Sequence, residues 1–300
     1  MTAPFTAPPG CSLGIFAKTF PRSTPAAMFE TIAALGLRSI QFNFSCCDLP
    51  TLPDRIQPAL LEELRALSLR HALRVAAISA TFNLIHPDPE VRRHGLDRLP
   101  VLAEAANFLH CPVLTLCTGT RDAEDMWRAH PDNASPAAWR DLRNGIDAAL
   151  TATESSGIFL GIEPEPGNVV DSARTCRRLL DETNSPRMRV VMDPANLLRP
   201  GDQNRQAEIM ASAFGLLGDS ITLAHAKELG PELQADGRGP GRGIVEWPSY
   251  LGLLRDSGYG GAIILHGLRE EETAPAVLYL LRAMAQTDSA TGGIKKLASP

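Results

Sequence analysis

The chain has 300 residues, 44% of them hydrophobic and 21% charged, which is typical of a folded globular protein and excludes disorder as its overall state. A formal charge of -5 leaves no surplus of cationic surface to neutralise many phosphates, so nucleic acid is not an expected partner. Every apolar run is far shorter than the roughly 20 residues that cross a bilayer, so we expect no membrane partner.

Both ends of the chain and the cysteines bear on organisation and location. Residues 1–10 have no positive charge ahead of an apolar stretch and so lack the layout of an export signal. We expect a flexible arm over 1–10 and a flexible tail over 286–300, a segment rich in small polar residues. The six cysteines show no CxxC spacing, which predicts reduced thiols and a cytoplasmic location.

Short β-rich runs alternate with longer amphipathic segments, and this pattern predicts parallel strands joined by helical crossovers. Eight strands are predicted, at 12–17, 39–44, 74–79, 113–117, 158–163, 189–193, 221–226 and 262–266. Helical patterns lie between them, for example at 25–35, 59–71, 92–108 and 137–154.

Eight β/α units match the count and length of a (β/α)8 TIM barrel, and we predict this α/β fold as a single domain over 11–285. In such a barrel the chemistry gathers at the carboxyl ends of the strands. An open doubly wound sheet is the alternative architecture, but the turn after the first strand contains no GxGxxG.

Four consecutive predicted strands, the fifth to the eighth, end in metal-type ligands. These residues are Glu163, Asp193, His225 and His266. Each alone could be a core group or a helix cap, but neighbouring strand ends of a barrel lie side by side on one arc of the rim. Two carboxylates and two imidazoles would neutralise a divalent cation, so we predict one divalent metal ion held by these four side chains.

Further polar residues near strand ends could face the same mouth. Glu165, two residues after Glu163, is a candidate proton-transfer group, and Lys227 is a candidate cationic partner for a substrate oxygen. Other rim candidates, each of which could equally be a surface residue, are Lys18, Asn83, His86, Arg121 and Trp127. The glycine-rich stretch 237–243 predicts either a phosphate site with Arg238 and Arg242 or a flexible lid.

Short motifs surround these candidates: EPE at 163–165, DPAN at 193–196, HAKE at 225–228, and PGRG at 240–243 followed by Trp247. They resemble the sugar phosphate isomerase/epimerase family of xylose-isomerase-like barrels. In that family a Glu, an Asp, a His and a second Glu at the ends of strands five to eight hold a metal. The resemblance implies this role for Glu163, Asp193 and His225, whereas His266 replaces the second Glu.

The change at the eighth strand affects the expected metal and mechanism. A further nitrogen ligand favours Mn, Co, Fe or Zn over Mg. Epimerases of the family use the two glutamates as paired acid and base, and one imidazole lone pair cannot both bind metal and accept a proton. Either His266 is a ligand and another group such as Glu165 acts, or His266 is the base and three protein ligands remain. Asn196 stands where many relatives carry a His, which indicates a changed contact near the metal or substrate.

The leading hypothesis is a metal-dependent isomerase or epimerase that acts on a sugar, sugar phosphate or related polyol by proton abstraction next to a metal-bound carbonyl. Glu163, Glu165 and Lys227 would be its catalytic residues. The alternative is a lyase or dehydratase that begins with the same proton abstraction. A nuclease acting on abasic DNA fits poorly with the net charge. A further alternative is a non-catalytic binding protein that kept the metal and lost the catalytic base. Relatives often pair through their helical exteriors, which leaves a homo-oligomer open.

Overall fold

Each β-rich run of the sequence forms one strand of a closed barrel in the computed structural model, which describes residues 11–292. The strands are β1 Ser12–Phe16, β2 Ser39–Phe42, β3 Arg74–Asn83, β4 Val113–Cys117, β5 Phe159–Ile162, β6 Met188–Met192, β7 Ile221–Ala226 and β8 Ala262–Leu265. All neighbouring strands are parallel, and β8 pairs with β1 to close the ring. The predicted (β/α)8 barrel is confirmed.

Helices cover the outside of this ring. Those among the described residues are α1 Pro25–Ala34, α2 Pro58–His71, α3 Pro89–Leu96, α4 Leu99–Phe108, α5 Pro136–Ala152, α6 Ala173–Thr183, α7 Pro194–Leu197, α8 Gln206–Leu217, α9 Trp247–Asp256 and α10 Thr273–Gly292. Several begin at a proline behind a capping side chain, as at α1, where Thr24 Oγ1 accepts a hydrogen bond from the Ala27 amide at 3.2 Å. None of the described helices is long and apolar enough to span a bilayer.

The segment 92–108, predicted as one helix, forms two, α3 and α4. Pro100 lies in the first turn of α4, where its missing amide hydrogen and its ring prevent one helix from running through. Gly95, near the end of α3, lies against Phe82, and a Cβ there would come within 2.2 Å of the ring. The break therefore follows from proline chemistry and from close packing of α3 on the barrel.

The last helix continues where a flexible tail was expected. Helix α10 runs to Gly292, well past residue 286. Arg255 Nη1 on α9 donates to the Thr287 carbonyl at 2.6 Å, and Thr287 Oγ1 donates to the Ala283 carbonyl at 2.8 Å, so the beginning of this segment is bonded to its surroundings. The arm predicted over 1–10 and the rest of the predicted tail, 293–300, lie outside the described residues.

Strand alternation divides the apolar residues into two cores. The main core lies between the strands and the helices. A second, smaller cluster contains Ala76, Ala77, Val113, Val191, Leu223, Ala262 and Ile264. Along β6 and β7, Val191 and Leu223 alternate with residues of the main core, so the second cluster fills the barrel interior. Polar residues that alternate along a strand with the same period as this cluster therefore point into the barrel interior.

Close packing of β1 gives a first prediction. A Cβ on Gly14 would lie 2.4 Å from the Ser39 carbonyl oxygen and 2.7 Å from Ile264 Cδ1, so Gly14→Ala should destabilise the fold by about 1–3 kcal/mol through overpacking. Gly215→Ala is the matched control, because this helical glycine has nothing within 4 Å and should gain up to about 1 kcal/mol. The midpoint of urea unfolding measures both, and equal midpoints would contradict the packing described.

Candidate metal centre

The four predicted ligands meet at the carboxyl end of the barrel. Each follows an interior position of its strand by two residues: Glu163 after Gly161, Asp193 after Val191, His225 after Leu223 and His266 after Ile264. One ligand atom from each side chain lies within 4.8 Å of those of the other three. Strand periodicity thus brings together residues that are far apart in the sequence.

Two atoms of this cluster are buried without a hydrogen-bond partner among the described residues. They are Asp193 Oδ2 and His266 Nε2, which lie 3.4 Å apart. Asp193 Oδ2 has the Lys227 ammonium as an ion-pair partner at 3.2 Å, whereas His266 Nε2 has no such partner, and native proteins rarely leave a buried nitrogen in this state without a bound water or ion. His225 Nδ1 is 4.0 Å from the same Asp193 oxygen. A cation placed among these atoms would give the His266 nitrogen a partner and would be bound by two carboxylates and two imidazoles, so the residues present fit a metal ion.

Two polar side chains of the barrel interior position His225, the first by direct contact and the second through the first. Its Nε2 lies 2.8 Å from Gln41 Oε1, and Gln41 Nε2 donates to Ser79 Oγ at 3.2 Å. With the ring hydrogen donated to Gln41, the lone pair of Nδ1 faces the cluster, 3.4 Å from Glu163 Oε1. Sequence reasoning missed Gln41 and Ser79, although a polar residue at an interior position of β2 is a usable signal.

Glu163 and Lys227 are joined through Asn196. Asn196 Nδ2 donates to Glu163 Oε1 at 2.7 Å, and Lys227 Nζ donates to Asn196 Oδ1 at 2.6 Å. Lys227 Nζ also lies 3.2 Å from Asp193 Oδ2. The two carboxylates therefore share one ammonium group, directly in the case of Asp193 and through an amide in the case of Glu163.

Burial and charge act against each other at this site. Burial lowers the pKa of Lys227, but the carboxylates of Asp193, Glu163 and Glu165 outweigh it and raise that pKa above its usual value. Burial likewise favours the neutral form of Asp193, and the charge of Lys227 nevertheless holds the pKa of that carboxyl below its usual range. Burial lowers the pKa of His266, which favours the neutral imidazole that can bind a metal. The site thus keeps a charged pair beside a neutral imidazole.

Glu165 lies next to this network. Its amide donates to the Val170 carbonyl at 2.9 Å, and its half-buried side chain lies within electrostatic range of Glu163, Lys227 and Asp193. Burial, with the neighbouring Glu163, raises the pKa of Glu165 to about 8. Glu165 is therefore a partly buried carboxyl near the cluster, and its burial favours the protonated form.

Three of the other rim candidates hold loops in place by hydrogen bonds, and two are exposed. Asn83 Nδ2 donates to the Thr120 carbonyl at 2.8 Å, and Arg121 Nη2 pairs with Asp141 at 2.6 Å. His86 Nε2 lies 3.1 Å from the Ala123 carbonyl, and Lys18 is exposed. Trp127 is 48% exposed on the loop after β4, and a sugar contact there stays a prediction.

The glycine-rich stretch 237–243 is packed against its surroundings, which argues against the flexible lid. A Cβ on Gly241, whose φ is +86°, would lie 2.5 Å from the Tyr279 ring of α10. Arg238 pairs with Asp236, and Arg242 Nε lies 3.8 Å from Glu272 Oε2. Arg238 is thus engaged by a carboxylate, whereas Arg242 is exposed, and a phosphate contact there stays a prediction.

Glu228 fastens this stretch to the barrel. The carboxylate is buried and accepts four hydrogen bonds of 2.8–3.0 Å, from the amides of Leu229, Gly241 and Val245 and from Trp247 Nε1. Its two oxygens are thereby fully occupied. The HAKE motif thus contributes a structural carboxylate one residue after Lys227.

The fold agrees with that of a known family. A family model described as xylose isomerase-like TIM barrel matches residues 29–284. The chain therefore belongs to the xylose isomerase-like TIM barrel family. No curated protein matches it in sequence.

Solved structures share the fold at low sequence identity. The 3-keto-D-glucoside 4-epimerase YcjR from E. coli is 15% identical with a TM-score of 0.70, over 93% of this chain and 99% of that one. A D-tagatose 3-epimerase-like protein is 15% identical with a TM-score of 0.75, over the same shares of 93% and 99%. The IOLI protein with a bound zinc atom is 16% identical with a TM-score of 0.64, over 92% and 96%.

Removing the Glu228 carboxylate gives a second prediction. Glu228→Ala leaves four donors without their acceptor, and each buried unpaired donor costs about 1–3 kcal/mol, so the melting temperature should fall sharply and trypsin should cut after Arg238 or Arg242. Glu232→Ala, an exposed position of the same loop, is the control and should behave as wild type. Unchanged melting and proteolysis in Glu228→Ala would show that the loop does not depend on this residue.

Proposed function

We propose that this protein is a divalent-metal-dependent isomerase or epimerase that acts on a sugar, sugar phosphate or related polyol by moving a proton next to a carbonyl. The observation that carries the proposal is the cluster of Glu163, Asp193, His225 and His266, in which the buried His266 Nε2 makes no hydrogen bond to the described residues. The names of YcjR and of the D-tagatose 3-epimerase-like protein, which share the fold, support a sugar as the substrate class.

Glu163, Asp193, His225 and His266 would hold the ion. Two nitrogen donors favour Mn, Co, Fe or Zn over Mg, and the zinc of the IOLI protein supports a metal of this group. When bound, a divalent ion would polarise a carbonyl and acidify the adjacent C–H bond. His266 Nε2 is buried against Asp193, which supports the ligand role for this residue over the role of a base.

The chain's own groups would handle the protons. Glu163 is the proposed base, because one of its oxygens is held by Asn196 while the other makes no hydrogen bond to the described residues. Lys227 would donate a hydrogen bond to a substrate oxygen, as an ammonium can only donate. Glu165 would supply a second carboxyl beside the first, able to give a proton back to carbon or oxygen.

Cys46, Cys47, Cys111, Cys117 and Cys176 are thiols in the structure, which is consistent with a reducing compartment, and we include a cytoplasmic location in the proposal. Assembly into a homo-oligomer stays a prediction. A small-molecule substrate needs neither a nucleic-acid nor a membrane partner.

Metal dependence gives a third prediction. Protein stripped with a chelator should bind one Mn or Co ion per chain in calorimetry and melt at a higher temperature once loaded, because the ion binds only the folded cluster. Asp193→Asn should lose most of this gain, whereas Asp219→Asn, at an exposed position, should keep it. A chelator-resistant activity, or equal metal binding by the Asp193 variant, would contradict the proposal.

Proton exchange with solvent gives a fourth prediction. In deuterated water with free and phosphorylated ketoses, the metal-loaded protein should place deuterium on a carbon next to the carbonyl. Glu163→Gln should lower this rate by about 10²–10⁴-fold, the usual contribution of a general base. The rate of deuterium incorporation by Glu165→Gln, measured in the same way, separates the roles of the two glutamates. Loss of water would indicate the lyase instead, and intact metal binding with no exchange on any sugar would indicate a binding protein.

A further inference from the structure

Asn196 lies between Glu163 and Lys227. It lies in the short helix α7 directly after Asp193, and its side chain is buried. Its amide contacts Glu163 on one side, with 2.7 Å from Nδ2 to Oε1, and Lys227 on the other, with 2.6 Å from Oδ1 to Nζ. Asn196 is therefore the one described side chain hydrogen-bonded to both.

The orientation of this amide is set by Lys227. An ammonium group has three donors and no acceptor, so the amide oxygen must face Lys227 and the amide nitrogen must face Glu163. A flipped amide would set two donors against each other at Lys227 and two acceptors at Glu163. The direction of the chain of hydrogen bonds from lysine to amide to carboxylate is thereby determined.

The backbone beneath the amide is also held. The Asn196 N–H donates to the Asp193 carbonyl at 3.2 Å, and the Asn196 carbonyl accepts from Arg199 Nη1 at 2.9 Å. Asp193 itself caps α7, with its Oδ1 accepting from the Ala195 amide at 3.0 Å. The bridging side chain is thus built on the same turn that positions a proposed metal ligand.

One oxygen of Glu163 is engaged by this arrangement and the other is not. Oε1 accepts from Asn196 and lies 3.4 Å from His225 Nδ1. Oε2 makes no hydrogen bond to any described residue. A carboxylate held at one oxygen cannot rotate freely, so the direction of the second oxygen is fixed as well.

We propose that Asn196, locked by Lys227, is a positioning residue that orients Glu163 so that Oε1 stays beside His225 Nδ1, on the side of the ion, and Oε2 is left for the substrate. This inference rests on the proposed function and adds a residue that takes no part in proton transfer itself. An aspartate of the same shape accepts from Lys227 equally well, but it repels Glu163 and cannot donate to it. Asn196→Asp and Asn196→Ala therefore remove the same hydrogen bond by different means.

The two variants should behave alike in turnover and oppositely in metal binding. Both should lower kcat for proton exchange by about 10–100-fold, the usual effect of losing a partner that orients a ligand, with KM changed little. Calorimetry with Mn and no sugar present should show weaker binding for Asn196→Ala and tighter binding for Asn196→Asp, because the latter adds a negative charge beside the ion. Asn107→Ala, at an exposed position of α4, is the control for expression and folding.

Crystal structures of wild type and Asn196→Ala complete the test without any substrate. A Glu163 carboxylate that turns or becomes disordered in the variant supports the inference. A Glu163 that keeps its orientation, or a wild-type kcat in either variant, overturns it. Failure of the wild-type protein to bind Mn would overturn the proposed function instead, and the two failures are therefore distinguishable.

Discussion

A fully buried carboxylate at the mouth of the barrel organises the polar groups around it. Asp193 is 1% exposed, and a charge in such a place is tolerated only when opposite charges and hydrogen bonds surround it. Lys227 supplies the opposite charge at 3.2 Å, and an alanine amide of α7 satisfies one oxygen. The other oxygen, Oδ2, is the one beside Lys227, and it also faces the unpaired nitrogen of His266 at 3.4 Å. The chemistry proposed for the site follows from this arrangement, because a divalent ion would bind both the carboxylate and that nitrogen.

The sequence was sufficient to predict the barrel and the convergence of the four candidate ligands. Both depend on local patterns: apolar runs of strand length, helical stripes between them, and a polar residue that follows the interior residue of a strand by two positions. Val191 and Asp193 illustrate the point, since they share one face of the chain and one lies directly above the other in the barrel. A period of two residues is visible in a sequence before any contact is known.

Other features depend on contacts between distant elements and could not be predicted in this way. Gln41 reaches His225 across the barrel, and Asn196 joins residues that follow different strands. The glycines of 237–243 indicated either anion binding or motion, whereas they allow close packing on Tyr279 and around Glu228. Residues 92–108 show a helical pattern throughout, and only the position of Pro100 indicates the break between α3 and α4.

The most direct measurement is anomalous diffraction from crystals of the protein loaded with Mn. The account predicts a single anomalous peak at the barrel mouth, about 2.0–2.3 Å from one atom each of Glu163, Asp193, His225 and His266, distances typical of divalent ions with such ligands. A pocket without a peak, or an ion bound elsewhere while the Asp193 and His266 side chains keep their present positions, would contradict the central claim.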